Sequence, residues 1–452
     1  MSSAAIDDQQ APVCARASRG LRGTMRVPGD KSISHRALIF GALAIGETRI
    51  NGLLESEDVL NTANALRQLG VEIHQEDGTW TVRGVGVGGL TQPATPLDFG
   101  NSGTGVRLMM GVVAGNPVQA PCVGDASLSQ RPMGRVLDPL REMGVATVPV
   151  AANTLPLTVH GTPDLIPIRY RTPMPSAQVK SAILLAGLHA MGATTVIEAA
   201  HTRDHTERML TFFGAHVDVS REDDGARVIT VTGRQTLSGR SITVPADPSS
   251  AAFLICAGLI APESDLTITN VLTNPTRTGL IETLIEMGGD ITLENPRDEG
   301  GEPVADIRVR SSRLRGITVP ADRAPSMIDE YPVLAVTAAY AQGETRMEGL
   351  AELRVKECDR LAATAAGLAA NGVVTKVDGD TLSVQGMDVV PGGGTVQTHL
   401  DHRIAMAFLI LGLGAQSGVT VDDGRVIATS FPSFLQLMTA FGAQIEAAET
   451  DR

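Results

Sequence analysis

The sequence predicts an α/β protein of two lobes, each built from three copies of one structural unit. Three observations carry that prediction. A helical segment that runs into Gly, then a small apolar residue, then an alternating strand recurs six times, at Gly70, Gly144, Gly214, Gly288, Gly372 and Gly442. Between these glycines lie six almost wholly apolar helices, each opened by a small polar or charged cluster at Lys31, Asn101, Ser176, Ser249, Ser326 and His399. Three of the six are led in by related strands that close at Asp30, Asp247 and Asp322.

Each element has a physical reading. A Gly after a helix supplies the left-handed residue that ends it, so a single copy is ordinary. Six copies, spaced between 70 and 84 residues apart, mark an internal repeat. A helix apolar on every side is buried, so each unit pairs one buried helix with one amphipathic helix among strands. Units opening at Lys31, Asn101 and Ser176 form a first lobe over 30–246. Those opening at Ser249, Ser326 and His399 form a second lobe over 247–452. The strand at 21–28 leads unit one much as that at 237–245 leads unit four, so by analogy residues 16–29 join the second lobe. A short hinge is expected near Pro245–Pro248, with closure of the lobes around a ligand bound in the cleft between them. Residues 1–15, with Asp7 and Asp8 and no apolar run, read as a disordered tail rather than a targeting segment.

Composition narrows the function. A net charge of −13, from 37 Lys and Arg against 50 Asp and Glu, argues against nucleic acid as a partner. One Trp among few aromatics leaves no stacking platform for bases. Cys14, Cys122, Cys256 and Cys358 are scattered without a CxxC pair, which fits a reducing cytoplasm and no metal framework. The apolar helices stop short of membrane-spanning length, so a soluble, cytoplasmic protein is expected.

The polar clusters sit where buried helices start, and there unpaired N–H groups carry a partial positive charge. Ordinary capping explains any one of them. Six such starts, several with Lys or Arg, point to a polyanionic ligand held between helix ends. The densest cluster is ValProGlyAspLysSerIleSerHisArg, 27–36. It lacks the upstream Gly of a P-loop, so nucleotide hydrolysis finds no support. What remains is Lys31, Ser32 and Arg36, suited to holding an anion.

From about Leu21 to Glu446 the chain resembles the 5-enolpyruvylshikimate-3-phosphate synthase family. The resemblance rests on eight motifs in family order. They are GlyAspLysSerIleSerHisArg (29–36), AsnSerGlyThrGlyValArg (101–107), SerLeuSerGlnArgProMet (127–133), SerAlaGlnValLysSer (176–181), ThrArgAspHisThrGlu (202–207), MetIleAspGluTyrPro (327–332), ArgValLysGluCysAspArg (354–360) and AspHisArgIleAlaMet (401–406). It implies an inverse α/β barrel in each lobe, the enolpyruvyl transferase fold, built from six βαβαββ repeats. It also implies transfer of the enolpyruvyl group of phosphoenolpyruvate to the 5-hydroxyl of 3-phosphoshikimate by addition and elimination, on the way to chorismate and the aromatic amino acids. No cofactor or metal is implied, and a monomer is expected. By the same resemblance, Lys31, Ser32, Arg36, Ser176, Ala177, Gln178, Arg203, Asp329 and Lys356 hold 3-phosphoshikimate. Lys31, Gly103, Arg131, Gln178, Arg360 and Arg403 hold phosphoenolpyruvate. Asp329 is the expected base and Glu357 the proton donor, with Lys31 assisting. Several cations suit ligands that together carry two phosphates and two carboxylates.

Plainer readings stand beside these. Asp329 and Glu330 could serve a helix start, Lys356 and Glu357 a solvated charge run, and Arg131 and Arg135 a surface loop. His201 and His205 have helical metal-ligand spacing without a third ligand, and His399 and His402 read as capping or hydrogen-bonded groups. Cys358 reads as incidental. The chain departs from the family where Thr429 stands in AlaThrSerPhePro at a position often Lys. That form resembles the herbicide-tolerant branch, whereas Gly103 leaves room where tolerant members often carry Ala. Two rival functions are a UDP-N-acetylglucosamine enolpyruvyl transferase and a non-catalytic anion-binding protein of the same fold. Ser32 after Lys31, and Arg131 without a neighbouring Cys, weigh against the first rival. The intact set Lys31, Asp329 and Glu357 weighs against the second.

Overall fold

The computed structural model describes residues 11–448. Its helices are α1 (Lys31–Leu43), α2 (Glu57–Gln68), α3 (Gly103–Ala114), α4 (Gly134–Glu142), α5 (Ala177–Gly187), α6 (His205–Phe212), α7 (Pro248–Ile260), α8 (Gly279–Glu286), α9 (Tyr331–Ala338), α10 (Arg360–Ala370), α11 (His402–Gly412) and α12 (Phe434–Ala440). The odd-numbered members are the apolar helices of the repeat. α1 is buried from Ile33 to Leu43 and α7 from Pro248 to Leu259. Burying a Leu or Ile side chain contributes about 1.5–3 kcal/mol, so packing rather than intrinsic propensity holds these helices. The even-numbered members bury one face; α2 hides Val59, Thr62, Ala63, Ala65 and Leu66. All six repeat glycines have φ between +78° and +101°, the left-handed stop that the pattern required.

Six separate sheets accompany the helices. Each has a short leading strand parallel to the strand that follows the buried helix, then two antiparallel neighbours. Leu97–Asp98, Gln119–Val123, Leu157–His160 and Ala146–Val148 stand in that order, as do Thr318–Val319, Glu344–Met347, Thr381–Gln385 and Thr375–Asp378. This is the βαβαββ unit, with the apolar helix on the inside.

The chain divides into two compact units: a first lobe of 28–245 with 297–304, and a second lobe of 246–296 and 305–448 with the segment before Pro28. Each contains three of the sheets and its own large apolar core. The leading strands of units one and four are exchanged. The strand Arg22–Met25 runs parallel to Asp265–Leu272 in the second lobe, and Ser241–Thr243 runs parallel to Ala44–Asn51 in the first. The hairpin of Asp290–Glu299 and Glu302–Arg310 has its turn, 297–304, in the first lobe, an excursion that the repeat pattern does not announce.

Two expectations need correction. The tail expected over 1–15 ends earlier. Val13–Arg16 forms β1, lying antiparallel between Val419–Val421 and Gln444–Ala447, with Val13, Cys14 and Ala15 buried. Its partners come from the opposite end of the chain, so local sequence gives no sign of it; the rest of the expected tail, 1–10, lies outside the described residues. The apolar helix expected from Ser326 begins only at Tyr331. Short 3-10 turns at Ala321–Ser326 and Ile328–Glu330 precede it, because Pro325 and Pro332 cannot continue the hydrogen-bond ladder upstream.

Candidate active site

In the first lobe three buried helices present their starts with caps in place. The Asp30 carboxylate accepts the Ile33 N–H at 2.8 Å, and the hydroxyls of Ser102 and Ser176 accept from Gly105 and Val179. Lys31 opens α1 with Nζ 2.6 Å from Asp58 Oδ2. Arg36, one turn further in, is buried. Its Nε donates to Thr206 Oγ1 and its Nη2 to Ser181 Oγ, both at 2.8 Å, and its Nη1 donates to the Ser32 carbonyl at 3.0 Å. Burial pushes its pKa down to about 10, still a cation at neutral pH. Arg36 therefore fixes the backbone of Ser32 from beneath.

A second cationic group surrounds Gly103. Arg131 Nη2 donates to Asn101 Oδ1 at 2.7 Å, and buried Arg107 Nη1 donates to Gln178 Oε1 at 3.0 Å. Gln178 in turn donates to Thr104 Oγ1 at 3.0 Å. A Cβ on Gly103 would meet Arg107 Nη1 at 3.0 Å and Arg131 Nη1 at 3.3 Å. The partners of both arginines are neutral oxygens: backbone carbonyls, two side-chain amides and a hydroxyl. Burial, with repulsion from Arg135 and Arg131, lowers Arg107 to about 10. Arg135 is not a free surface residue; it lies in the first turn of α4, half-buried, with its Nε buried and unpartnered. Cations solvated by neutral groups form a ready anion site.

The loop before α6 carries Arg203, and the first turn of α5 carries Ala177 and Gln178 after the cap Ser176. His201 and His205 do not converge: His201 contacts Arg227, whereas His205 Nδ1 lies 2.8 Å from Glu302 Oε1.

The second lobe holds a different chemistry. Arg360, 1 % exposed, opens α10 and touches three carboxylates: Asp401 Oδ2 at 2.7 Å, Asp329 Oδ1 at 3.2 Å and Glu357 Oε2. Lys356 Nζ adds a contact to Asp329 at 3.5 Å. Arg403 Nη1 donates to the Asp329 carbonyl at 3.2 Å and lies 3.4 Å from Glu330. Asp401 is also the cap of α11, accepting the Arg403 N–H at 2.9 Å. Burial is the largest single influence on the Glu357 carboxyl and pushes it up, but the Arg360 guanidinium and smaller favourable contacts together outweigh it, and the group is held down to about 2. Burial lowers His402 to about 3, so it is neutral. Thr429 donates to the Val426 carbonyl at 2.8 Å and brings no charge, and neighbouring Arg425 is paired with Asp423.

Lys31, Ser32, Arg36, Gly103, Arg131, Ser176, Ala177, Gln178 and Arg203 thus fall in the first lobe, and Asp329, Lys356, Glu357, Arg360 and Arg403 in the second. The sequence reading passed over Arg107 and Asp401, each of which lies inside a quoted motif. Within the first lobe the cations around Gly103 face neutral partners; within the second each cation is matched to a carboxylate. The first arrangement suits anion capture and the second proton transfer.

A family model described as EPSP synthase (3-phosphoshikimate 1-carboxyvinyltransferase) matches residues 15–448. A relative from Chelativorans sp. is 61 % identical over 438 residues, covering 96 % of this chain and 98 % of its own. Another, from Parvibaculum lavamentivorans, is 61 % identical over 431 residues, covering 95 % and 96 %. Both are named 3-phosphoshikimate 1-carboxyvinyltransferase. Among solved structures, EPSP synthase from Acinetobacter baumannii superposes with a TM-score of 0.89 at 43 % identity, covering 98 % of this chain and 100 % of that one. The enolpyruvyl transferase NikO from Streptomyces tendae, at 21 % identity and a TM-score of 0.72 over 98 % and 100 %, shares the fold.

Proposed function

The chain belongs to the EPSP synthase family, 3-phosphoshikimate 1-carboxyvinyltransferase, and from that premise we propose how its residues move the enolpyruvyl group of phosphoenolpyruvate onto the 5-hydroxyl of 3-phosphoshikimate. The observation that carries the proposal is the bridging of Asp329, Glu357 and Asp401 by one buried guanidinium.

Ser32, Arg36, Ser176, Ala177, Gln178 and Arg203 hold 3-phosphoshikimate, with Lys356 and Asp329 at its hydroxyls. Gly103, Arg131, Gln178, Arg360 and Arg403 hold phosphoenolpyruvate, with Arg107 beneath Arg131 adding field. Lys31 touches both substrates. Asp329 takes the proton of the 5-hydroxyl as its oxygen attacks C2 of phosphoenolpyruvate, and the methylene carbon takes a proton from Glu357. The tetrahedral adduct then loses phosphate and a methyl proton, restoring the enol ether.

Glu357 must carry a proton to act, yet its contact with Arg360 keeps it ionised at neutral pH. A substrate carboxylate that takes the Arg360 guanidinium releases Glu357 and raises its pKa, so arrival of the donor arms the acid. The enzyme works as a cytoplasmic monomer apart from nucleic acid and membrane. Its net negative charge and four unbridged cysteines support that setting, and among the described residues no helix is long and apolar enough to cross a membrane.

The test is phosphate release from phosphoenolpyruvate with and without 3-phosphoshikimate, in the presence of EDTA. Release that requires 3-phosphoshikimate and survives chelation is the expected outcome. Release only with UDP-N-acetylglucosamine, or binding of both ligands without release, would overturn it.

A further inference from the structure

Behind the first-lobe substrate residues lies a buried ionic group that the reaction scheme leaves unused. Lys180, on α5 one turn after Ser176, is 0 % exposed. Its Nζ lies 3.1 Å from Glu198 Oε1 and 2.8 Å from Glu207 Oε1. Arg227 Nη1 sits 3.6 Å from Glu198 and 3.5 Å from Glu207. Two cations and two carboxylates therefore neutralise each other, with Lys180 and Glu198 sealed from solvent, Glu207 nearly so and Arg227 12 % exposed. Taking such groups out of water is costly, and a well-packed apolar set of similar volume is often as stable or more so. Stability alone does not account for the quartet.

Its hydrogen bonds lead to the substrate-holding segments. Glu198 ends the strand Ala193–Glu198, and its Oε2 accepts from Thr202 Oγ1 at 2.7 Å. Its Oε1 accepts the Thr202 N–H at 3.4 Å, and Lys180 Nζ reaches the Thr202 carbonyl at 3.5 Å. Thr202 is thus gripped at its N–H, hydroxyl and carbonyl, and the next residue is Arg203. On the other side of Arg203, Asp204 Oδ1 is 3.0 Å from Arg208 Nε. Glu207 follows Thr206, whose hydroxyl takes Arg36 at 2.8 Å. Lys180 itself is fixed to the helix whose first turn is Ala177–Gln178.

We infer that Lys180, Glu198 and Glu207 with Arg227 are positioning residues, an ionic anchor that sets Arg203 and the start of α5 at one fixed separation for 3-phosphoshikimate. The inference rests on the reading of those segments as 3-phosphoshikimate holders. A loop carrying Arg203 otherwise samples many conformers, and an anionic substrate must then order it at the expense of affinity. The anchor does that ordering in the free enzyme.

The experiment compares KM for each substrate, kcat and thermal midpoint in Thr202→Val, Thr202→Ser, Glu198→Gln and Arg203→Ala proteins. Thr202→Val removes one hydroxyl and leaves the quartet intact. It is expected to raise KM for 3-phosphoshikimate about 3- to 10-fold, the scale of one lost hydrogen bond, with KM for phosphoenolpyruvate and kcat within about twofold. Thr202→Ser restores the wild-type value, and Glu198→Gln raises KM by about tenfold or more. Unchanged KM for 3-phosphoshikimate in Thr202→Val would overturn the inference, as would an equal rise for both substrates; this holds even if Glu198→Gln does not fold. Arg203→Ala separates the two ideas. If it leaves KM for 3-phosphoshikimate unchanged, Arg203 is no substrate holder; if it raises KM while the Thr202 variants do not, only the anchor fails.

Discussion

Replacing Asp401 by Asn tests the electrostatics of the second lobe most sharply. Asp401 is fully buried and does two jobs: Oδ1 caps α11 through the Arg403 N–H at 2.9 Å, and Oδ2 holds Arg360 Nε at 2.7 Å. Asn retains a side-chain oxygen for the cap, so the roughly 1 kcal/mol of a lost cap is not in play. What disappears is the charge opposite a guanidinium that is 1 % exposed. Breaking a buried ion pair from one side costs about 3–5 kcal/mol, because the remaining charge is stranded. Arg360 keeps Asp329 at 3.2 Å and half-buried Glu357, so part of that cost is offset and a loss of about 2–3 kcal/mol is expected. Urea unfolding followed by far-UV circular dichroism measures it. If a stranded charge is the cause, Arg360→Met added to Asp401→Asn recovers much of the loss. A single-variant loss below about 1 kcal/mol, or a double variant no more stable than the single, refutes the reasoning.

Three further outcomes are expected. Asp329→Asn lowers kcat by about 100-fold or more while dissociation constants for both ligands, measured by calorimetry, stay within about threefold. Glu357→Gln abolishes most turnover, and the stability it removes is pH-dependent. The wild-type carboxyl is depressed from 4.5 to about 2, so its contribution is complete above pH 4.5 and fades as pH falls towards 2; melts of the two proteins should converge over that window. Gly103→Ala places a methyl 3.0 Å and 3.3 Å from two guanidinium nitrogens at the far ends of long side chains, which must shift by a few tenths of an ångström to take it. KM for phosphoenolpyruvate should therefore rise while the melting midpoint changes little, and a large loss of stability would count against that geometry.

Much of the architecture was legible because it is written in backbone rules that act locally. The six glycines need a left-handed φ, and the six apolar helices have no polar face to offer solvent. Exchange of the leading strands was readable because residues 21–28 resemble 237–245. What escaped had its cause elsewhere in the chain. β1 looks like tail until Val419–Val421 and Gln444–Ala447 flank it. Arg107 looks like an ordinary helical residue until Gln178, on another helix, accepts its hydrogen bond. The late start of α9 comes from Pro325 and Pro332, which interrupt the ladder of an otherwise apolar run, and it places Asp329 on a 3-10 turn rather than in a helix. Arg135 was read as loop because nothing in its own neighbourhood reveals that its Nε is buried.

The sheet that β1 completes also fixes the order in which the molecule can be made. Val13 lies opposite Ala447, so the first and last strands of the described chain are neighbours. A ribosome adding about 5–20 residues per second leaves β1 waiting for roughly 20 to 90 seconds before its partners exist. During that interval the first lobe, whose sequence is nearly continuous from 28 to 245, can already fold. The same adjacency means that joining the two ends and opening the chain at an exposed turn would preserve every pairing, and would let β1 be synthesised beside the strands it needs.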